Sequence, residues 1–532
     1  MVTRYKNALE LLEHSFKSYA DKTAYTCLDY SLTYKQIDQL SERFARYLRN
    51  DLGLVPGDRI AIQLPNLLQF PVALYGAVRA GLIVVNTNPL YTPREIRYQL
   101  RDCGAKALVV LSNIAHNAAS IIEQTDVETV IVTNIADLHP FPKRQLINSV
   151  VKYVKRMVPA YKFDHAVSFR STISKKGKPF ERPVLNPDSV MTLQYTGGTT
   201  GVSKGAMLSH KNMADNVWQM VEHIPSAFDE GAETFVACLP LYHIYALNLH
   251  ALAAFSLGEH NLLIPNPRDL AGMVKTLSKH QITVFVGINT LFTALCRFEP
   301  FKALDFSKLK VTSAGGMALT EDAAKAWESI TGCEVCEGYG LTETSPVVCG
   351  NLIGGIVRGS VGLPLQETEL KLIDDEGNTV TGEAGELCVR GPQVMLGYWE
   401  NEDETRTVFT EDGWLRTGDV AEIDDKGYVR IVDRKKDMIL VSGFNVFPNE
   451  VEDTICQMPQ IIEAAAIGVA DEKCGEVVKL FVVAADEKVT EEAVYNYCRK
   501  NLTPYKVPKV IVFRDDLPKS NVGKILRKEL RE

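Results

Sequence analysis

Short apolar strands alternate with helical segments through the first part of this chain, and that alternation constrains the fold more than any other feature. Arg59-Ile-Ala-Ile-Gln-Leu64 reads as a strand, 70–80 as an apolar helix ending at Gly81, and 82–86 as the next strand. The β-branched runs 107–111 and 129–133 continue the series. Strands separated by helices imply parallel sheets covered by helices. Upstream, Leu9, Leu12, Phe16 and Tyr19 recur at helical spacing, and Thr33 is placed to cap a helix beginning near Tyr34. The glycine-punctuated 382–399 reads as short strands and turns, a small β-barrel-like part. A dense charged run between two apolar ones, Asp433-Arg-Lys-Lys-Asp437, marks the best boundary. Beyond it lie a helix near 450–456, strands at 464–469 and 478–483, a helix at 491–501 and a strand at 509–513. The expected class is therefore α/β. A large N-terminal domain of parallel-sheet subdomains spans 1–433, a hinge 434–437, and a small mobile α+β domain 438–532.

Charge and composition narrow the partners. A net charge of −8 argues against nucleic acid. The eleven cysteines have no framework spacing, and the lone Cys333-Glu-Val-Cys336 pair reads better as reduced thiols than as a zinc or redox site. The first residues carry no apolar segment or cleavage pattern. Thr234 to Gly258 contains no Asp, Glu, Lys or Arg, long enough to raise the question of a membrane span. Pro240, His243, Asn248 and His250 interrupt it, so a buried helix lining an apolar cavity is expected, in a soluble cytoplasmic protein. Residues 143–182 hold eleven Lys/Arg against two acids, in an otherwise acidic chain. Within them, Val150, Val151, Tyr153, Val154, Met157 and Val158 fall on one helical face and Lys152, Lys155 and Arg156 on the other. Two readings stay open for 150–158: contact with an anionic membrane, peripheral on its inner face, or an ordinary surface helix.

The segment richest in chemistry is Tyr195-Thr-Gly-Gly-Thr-Thr-Gly-Val-Ser-Lys-Gly205. Glycines let backbone N–H groups approach an anion, hydroxyls add donors and lysine adds charge. It is not a Walker A loop, because Val202 and Ser203 separate Gly201 from Lys204. Alone, it fits a polyphosphate cradle or a flexible surface loop. Other stretches join it: Pro240-Leu-Tyr-His-Ile244, Ser313-Ala-Gly-Gly-Met317, Glu337-Gly-Tyr-Gly-Leu-Thr-Glu-Thr344, Trp414-Leu-Arg-Thr-Gly-Asp419 and Pro518-Lys-Ser-Asn-Val-Gly-Lys524.

In this order and spacing the motifs resemble the adenylate-forming superfamily of acyl-CoA synthetases, luciferases and adenylation domains, over nearly the whole chain. Within it, 84–93, 433–445 and 517–526 look most like bacterial long-chain fatty-acid–CoA ligases. The resemblance implies a two-step reaction. A fatty carboxylate attacks the α-phosphate of ATP to give acyl-adenylate and pyrophosphate, and the CoA thiol then gives thioester and AMP. It implies that Thr196, Gly197, Gly198, Thr199, Thr200, Gly201 and Lys204 cradle the phosphates, and that Thr199 and Glu343 hold Mg2+. Tyr339 would stack on adenine against Gly315 and Gly316, within the turn carrying Gly338, Gly340 and Thr342. Asp419 would take the ribose hydroxyls with Arg434 assisting, and Lys524 would neutralise charge between carboxylate and α-phosphate. Lys436 would be the hinge about which Ser442, Gly443 and Phe444 swing in for CoA. Tyr242, His243 and Gly287 would line the acyl pocket, with His243 near the reacting carboxylate and Gly287 leaving space.

No Lys or Arg in the pocket segments offers a partner for a second polar group, which favours a plain acyl chain. A medium-chain or aryl-acid ligase, a luciferase and a non-catalytic nucleotide- or lipid-binding relative are the alternatives. A homodimer is compatible with the reading.

Overall fold

The computed structural model describes residues 3–174, 177–196, 203–223, 228–442, 444–471, 474–486, 488–520 and 523–531. Two large sheets carry about the first two-thirds of the chain. One runs Ala166–Ser168, Thr129–Thr133, Ala107–Leu111, Arg59–Gln63, Ile83–Asn86, Val190–Thr196, Lys204–Ser209. Every neighbouring pair is parallel except the last, a hairpin in which Thr196 opposes Lys204. The other has nine strands, and its six central ones, from Val335–Gly340 through Val311–Ala314, Val284–Gly287, Thr234–Ala237 and His260–Leu263 to Thr23–Cys27, are parallel. Ile83–Asn86, Ala107–Leu111 and Val284–Gly287 are buried at every residue, which is why such strands read as near-continuous apolar runs.

Between the sheets, helix Gln69–Arg79 has all eleven of its residues buried. It packs on Tyr34–Arg46, whose start is fixed by the expected Thr33 cap as a full capping box with Gln36. The uncharged run forms a buried helical stretch, as its composition predicts. Its middle, Leu247–Ala253, is wound wide with i→i+5 bonds, a winding no periodicity signals. The glycine-rich 382–399 contributes to a five-stranded antiparallel sheet, Thr379–Val380, Glu369–Ile373, Gly385–Arg390, Leu415–Ile423, Val429–Arg434. From Ile439 onward the chain builds its own sheet around the long hairpin of Ile461–Asp471 and Gly475–Ala484, with its own apolar core. All eleven cysteines are free, and eight are buried.

The basic segment departs from its expected form. Helix Lys143–Ser149 continues as a wide turn Val150–Val154 and stops there, and Arg156, at φ +52°, turns the chain away. No residue of either piece is buried.

Candidate active site

A cleft of about 2480 Å³ separates the two large sheets from the small domain, and residues from every expected motif line it. The C-terminal ends of parallel strands deliver Thr196, Ser313 and Tyr339, the usual location for ligand sites in such sheets, and the antiparallel sheet and the small domain supply Asp419 and Lys524. Thr196 ends its strand with its carbonyl accepting from the Ser203 hydroxyl at 2.7 Å, and it opposes Lys204 across the antiparallel pair. Gly197, Gly198, Thr199, Thr200 and Gly201 lie outside the described residues, as does Gly443. Lys204 is half-buried, with its ammonium bonded to Glu404 and lying 5.4 Å from the centre of the Tyr398 ring.

The turn after Val335–Gly340 is set by backbone crowding. A Cβ on Gly340 would sit 1.9 Å from the Pro346 carbonyl oxygen, so only glycine fits. This holds the Tyr339 ring in the cleft, where its hydroxyl donates to Asp419 at 2.6 Å. Burial and the neighbouring Asp419 push the phenol well above its ordinary pKa. Asp419 faces Arg434 across the antiparallel pair, with guanidinium and carboxylate 3.4 Å apart. On the far wall Gly315 is packed against the Tyr245 ring, which a Cβ would meet at 3.2 Å, and the Tyr245 hydroxyl bonds that of Ser313 at 2.8 Å. Glu343 accepts from the Tyr398 hydroxyl at 2.8 Å. The carboxyl of Glu337, by contrast, is raised to about 7 by burial, with Asp453 of the small domain adding to the rise.

Lys524 enters from the small domain. Its turn is held by Ser520 N–H donating to the Lys524 carbonyl at 2.7 Å, and Gly523, at φ +80°, leaves no room for a Cβ against Ile288 and Thr290. The Lys524 pKa is lowered to about 8, first by burial and then by Arg434, against the opposite pull of Asp419 and Glu343. His243 caps the buried helix with Nδ1 accepting from Tyr245 N–H at 3.4 Å. Burial, and secondarily Lys524, take its pKa down to about 4, so it is neutral at pH 7. Tyr242 lines the cleft beside it and accepts through its carbonyl from Gln194 Nε2 at 2.6 Å.

Gly287 does not leave the space expected of it. A Cβ there would meet the Phe292 ring at 2.8 Å, so the glycine makes room for a protein side chain, and Val284 and Val286 line the cleft instead. Sequence reasoning also missed Tyr398 and Glu404. Lys204 and Glu404 stand 200 residues apart, and no local pattern pairs them.

The segment 434–437 is anchored on both sides. Lys435 bonds Asp375 at 2.8 Å and Glu386 at 3.2 Å in the large part. Asp437 receives Arg531 at 3.0 Å and Arg527 at 3.5 Å from the last helix. Lys436, between them, makes no ion pair among the described residues, and burial lowers its pKa. Ser442 and Phe444 lie on the small domain, and Phe444 is exposed with its ring stacked on Tyr505.

Residues 12–399 match the AMP-binding enzyme family, and residues 450–524 match the AMP-binding enzyme C-terminal domain. The chain belongs to the AMP-binding enzyme family. Among its relatives, the long-chain-fatty-acid–CoA ligase of Escherichia coli O157:H7 is 50% identical over 99% of this chain and 95% of its own length. That of Bacillus subtilis (strain 168) is 36% identical over 99% and 94%. The 4-coumarate–CoA ligase 3 of Oryza sativa subsp. japonica is 30% identical over 99% and 92%. The crystal structure of the anthranilate CoA ligase AuaEII in complex with anthranoyl-AMP superposes with a TM-score of 0.88 at 28% identity, covering 100% of this chain and 97% of that one. The α/β class with a separate C-terminal domain is thus a property of the family.

Proposed function

We propose that this AMP-binding enzyme is a long-chain fatty-acid–CoA ligase that forms an acyl-adenylate from ATP and then transfers the acyl group to CoA. The observation that carries the reading is the position of Lys524, brought by a separate domain into a cleft that also holds Asp419, Glu343 and the Thr196/Lys204 hairpin. Two anions, a carboxylate and a triphosphate, must meet for the first step, and a buried cation between them offsets their repulsion. The uncharged helical wall and the high identity to long-chain-fatty-acid–CoA ligases support an acyl chain as the group carried.

In this reading Tyr339 and Gly315 sandwich adenine, Asp419 and Arg434 hold the ribose, and neutral His243 lies beside the attacking carboxylate without adding charge. Lys204 stabilises the departing pyrophosphate, and Glu404 sets its position beforehand. Magnesium suits the carboxylate of Glu343, assisted by Thr199. Among the described residues no group of three His, Cys, Asp or Glu could hold a metal, so the donor set fits an ion that draws its other ligands from phosphate and water. When bound, that ion would neutralise phosphate charge. In the second step Lys436 is the hinge, Lys524 leaves, and Ser442, Gly443 and Phe444 approach CoA. The anchoring of Lys435 and Asp437 to opposite domains supports a pivot at Lys436.

Among the described residues no helix is long and apolar enough to cross a membrane, and we place the protein at the inner face of the cytoplasmic membrane as a peripheral protein. Fatty-acid-dependent exchange of pyrophosphate into ATP, measured without CoA, tests the first step. Exchange is expected with saturated acyl chains, and its absence with every fatty acid would refute the reading.

A further inference from the structure

Of eighteen large apolar side chains exposed among the described residues, six fall between 141 and 161: Phe141, Leu146, Tyr153, Val154, Met157 and Tyr161. Four of them expose 66–75% of their surface. Ile147, Val150, Val151 and Val158 are half-buried against the body of the protein, so this segment has more apolar residues than its protein-facing side can cover. Single exposed apolar residues are ordinary, whereas a contiguous set rimmed by charge marks an interaction surface.

The charge around the set is of one sign. No Asp or Glu occurs between Asp137 and Asp164, while Lys143, Arg144, Lys152, Lys155, Arg156 and Lys162 do. Among the described residues Lys152, Lys155 and Arg156 make no ion pair, and Lys152 lies over the Tyr153 ring at 5.4 Å. Of the two flanking carboxylates, Asp137 is engaged by Asn148 Nδ2 at 3.0 Å and the Asn134 N–H at 2.7 Å, and Asp164 pairs with Lys162 at 3.7 Å. Elsewhere the chain is acidic, with a net charge of −8, so this basic surface cannot serve solubility in general.

The segment is also firmly placed. Ala136 N–H donates to Asn148 Oδ1 at 3.0 Å, Asn113 Nδ2 to the Met157 carbonyl at 3.0 Å, and Lys143 to the carbonyls of Leu28 and Asp29, each at 3.0 Å. Asn113 and Asn134 follow the C-terminal ends of Ala107–Leu111 and Thr129–Thr133. The segment therefore lies over the end of the sheet from which Val190–Thr196 delivers the phosphate hairpin. Four strand spacings separate Thr129–Thr133 from Val190–Thr196, about 20 Å.

We propose that residues 141–161 are the surface by which this protein docks on an anionic lipid bilayer. Phe141, Leu146, Tyr153, Val154 and Met157 enter the headgroup boundary, and Lys152, Lys155 and Arg156 meet anionic headgroups. A single-sign charge favours anionic lipid over a second copy of this chain, whose matching surface would carry the same charge. The inference rests on the ligase reading only in giving the docking a purpose: it sets the catalytic end of the sheet beside the phase that stores a long-chain substrate.

The test is flotation of the full-length protein with vesicles of phosphatidylcholine alone or with phosphatidylglycerol. Binding is expected only with the anionic lipid, and it weakens as salt is added. Each basic residue contributes roughly five-fold to such binding, so the triple variant Lys152→Glu, Lys155→Glu, Arg156→Glu should bind at least about a hundred-fold more weakly. Tyr153→Ser with Val154→Ser should lose about ten-fold or more. Both variants should keep the wild-type circular dichroism and the wild-type rate on a water-soluble acid without vesicles. Equal binding of wild type and both variants would overturn the proposal. So would conversion of a dimer to a monomer by these variants with vesicle binding unchanged. If the wild type has no ligase activity, the function above fails, and the flotation result still decides the docking surface.

Discussion

Lys524→Ala separates the two half-reactions more sharply than any other single change. The side chain sits in the cleft with its pKa drawn from 10.5 to about 8. At about 1.4 kcal/mol per unit, the protein surroundings disfavour the ammonium by roughly 3 kcal/mol. The incoming carboxylate and α-phosphate reverse that penalty. A unit charge about 4 Å from a developing charge is worth roughly 4 kcal/mol at an effective dielectric near 20, and loss of one preorganised electrostatic donor typically costs about 10²–10³ in kcat. Alanine at 524 should therefore lower fatty-acid-dependent ATP–pyrophosphate exchange by about a thousand-fold. If the small domain carries Lys524 away before CoA attacks, the second half-reaction does not use it. Synthetic acyl-adenylate and CoA should then be converted to thioester by the variant within a few-fold of the wild-type rate. Equal damage to both half-reactions would refute the assigned role and with it the domain rotation.

The pH profile offers a second check on the same group. Because the active form of Lys524 is protonated and its pKa is lowered to about 8, kcat/KM for exchange should fall about tenfold per unit above pH 8, and the Lys524→Arg variant should lack that limb. For the hinge, proline at 436 suits the tight turn Lys435–Asp437 in this conformer, but it restricts rotation about φ. Lys436→Pro should leave exchange near the wild-type rate and slow thioester formation from acyl-adenylate by ten-fold or more; equal effects on the two would place the pivot elsewhere.

Much of the architecture is legible in the sequence because the parallel strands are short, largely apolar and preceded by glycine, as at Arg59–Gln63 after Gly57 and Ile83–Asn86 after Gly81. The capping box at Thr33 and the charged boundary at Asp433 are equally local signals. What stayed hidden depends on distant partners or on shape. The Lys204–Glu404 pair and the Tyr398–Glu343 bond join elements far apart in sequence. The space beside Gly287 belongs to Phe292, a fact of packing that a small residue cannot announce. The wide winding of Leu247–Ala253 and Val150–Val154 follows from backbone hydrogen bonds, since apolar runs leave helical pitch undetermined. In the second of these, apolar residues that periodicity would turn inward are left facing out.

The central claim is that one cleft joins ATP, a long acyl chain and CoA, and AMP release across fatty acids of increasing length measures it most directly. The account predicts AMP formed in equal amount with acyl-CoA, only when ATP, fatty acid and CoA are all present, and at higher kcat/KM for long chains than for short ones. Release of ADP in place of AMP, or AMP formation indifferent to CoA at steady state, would contradict it.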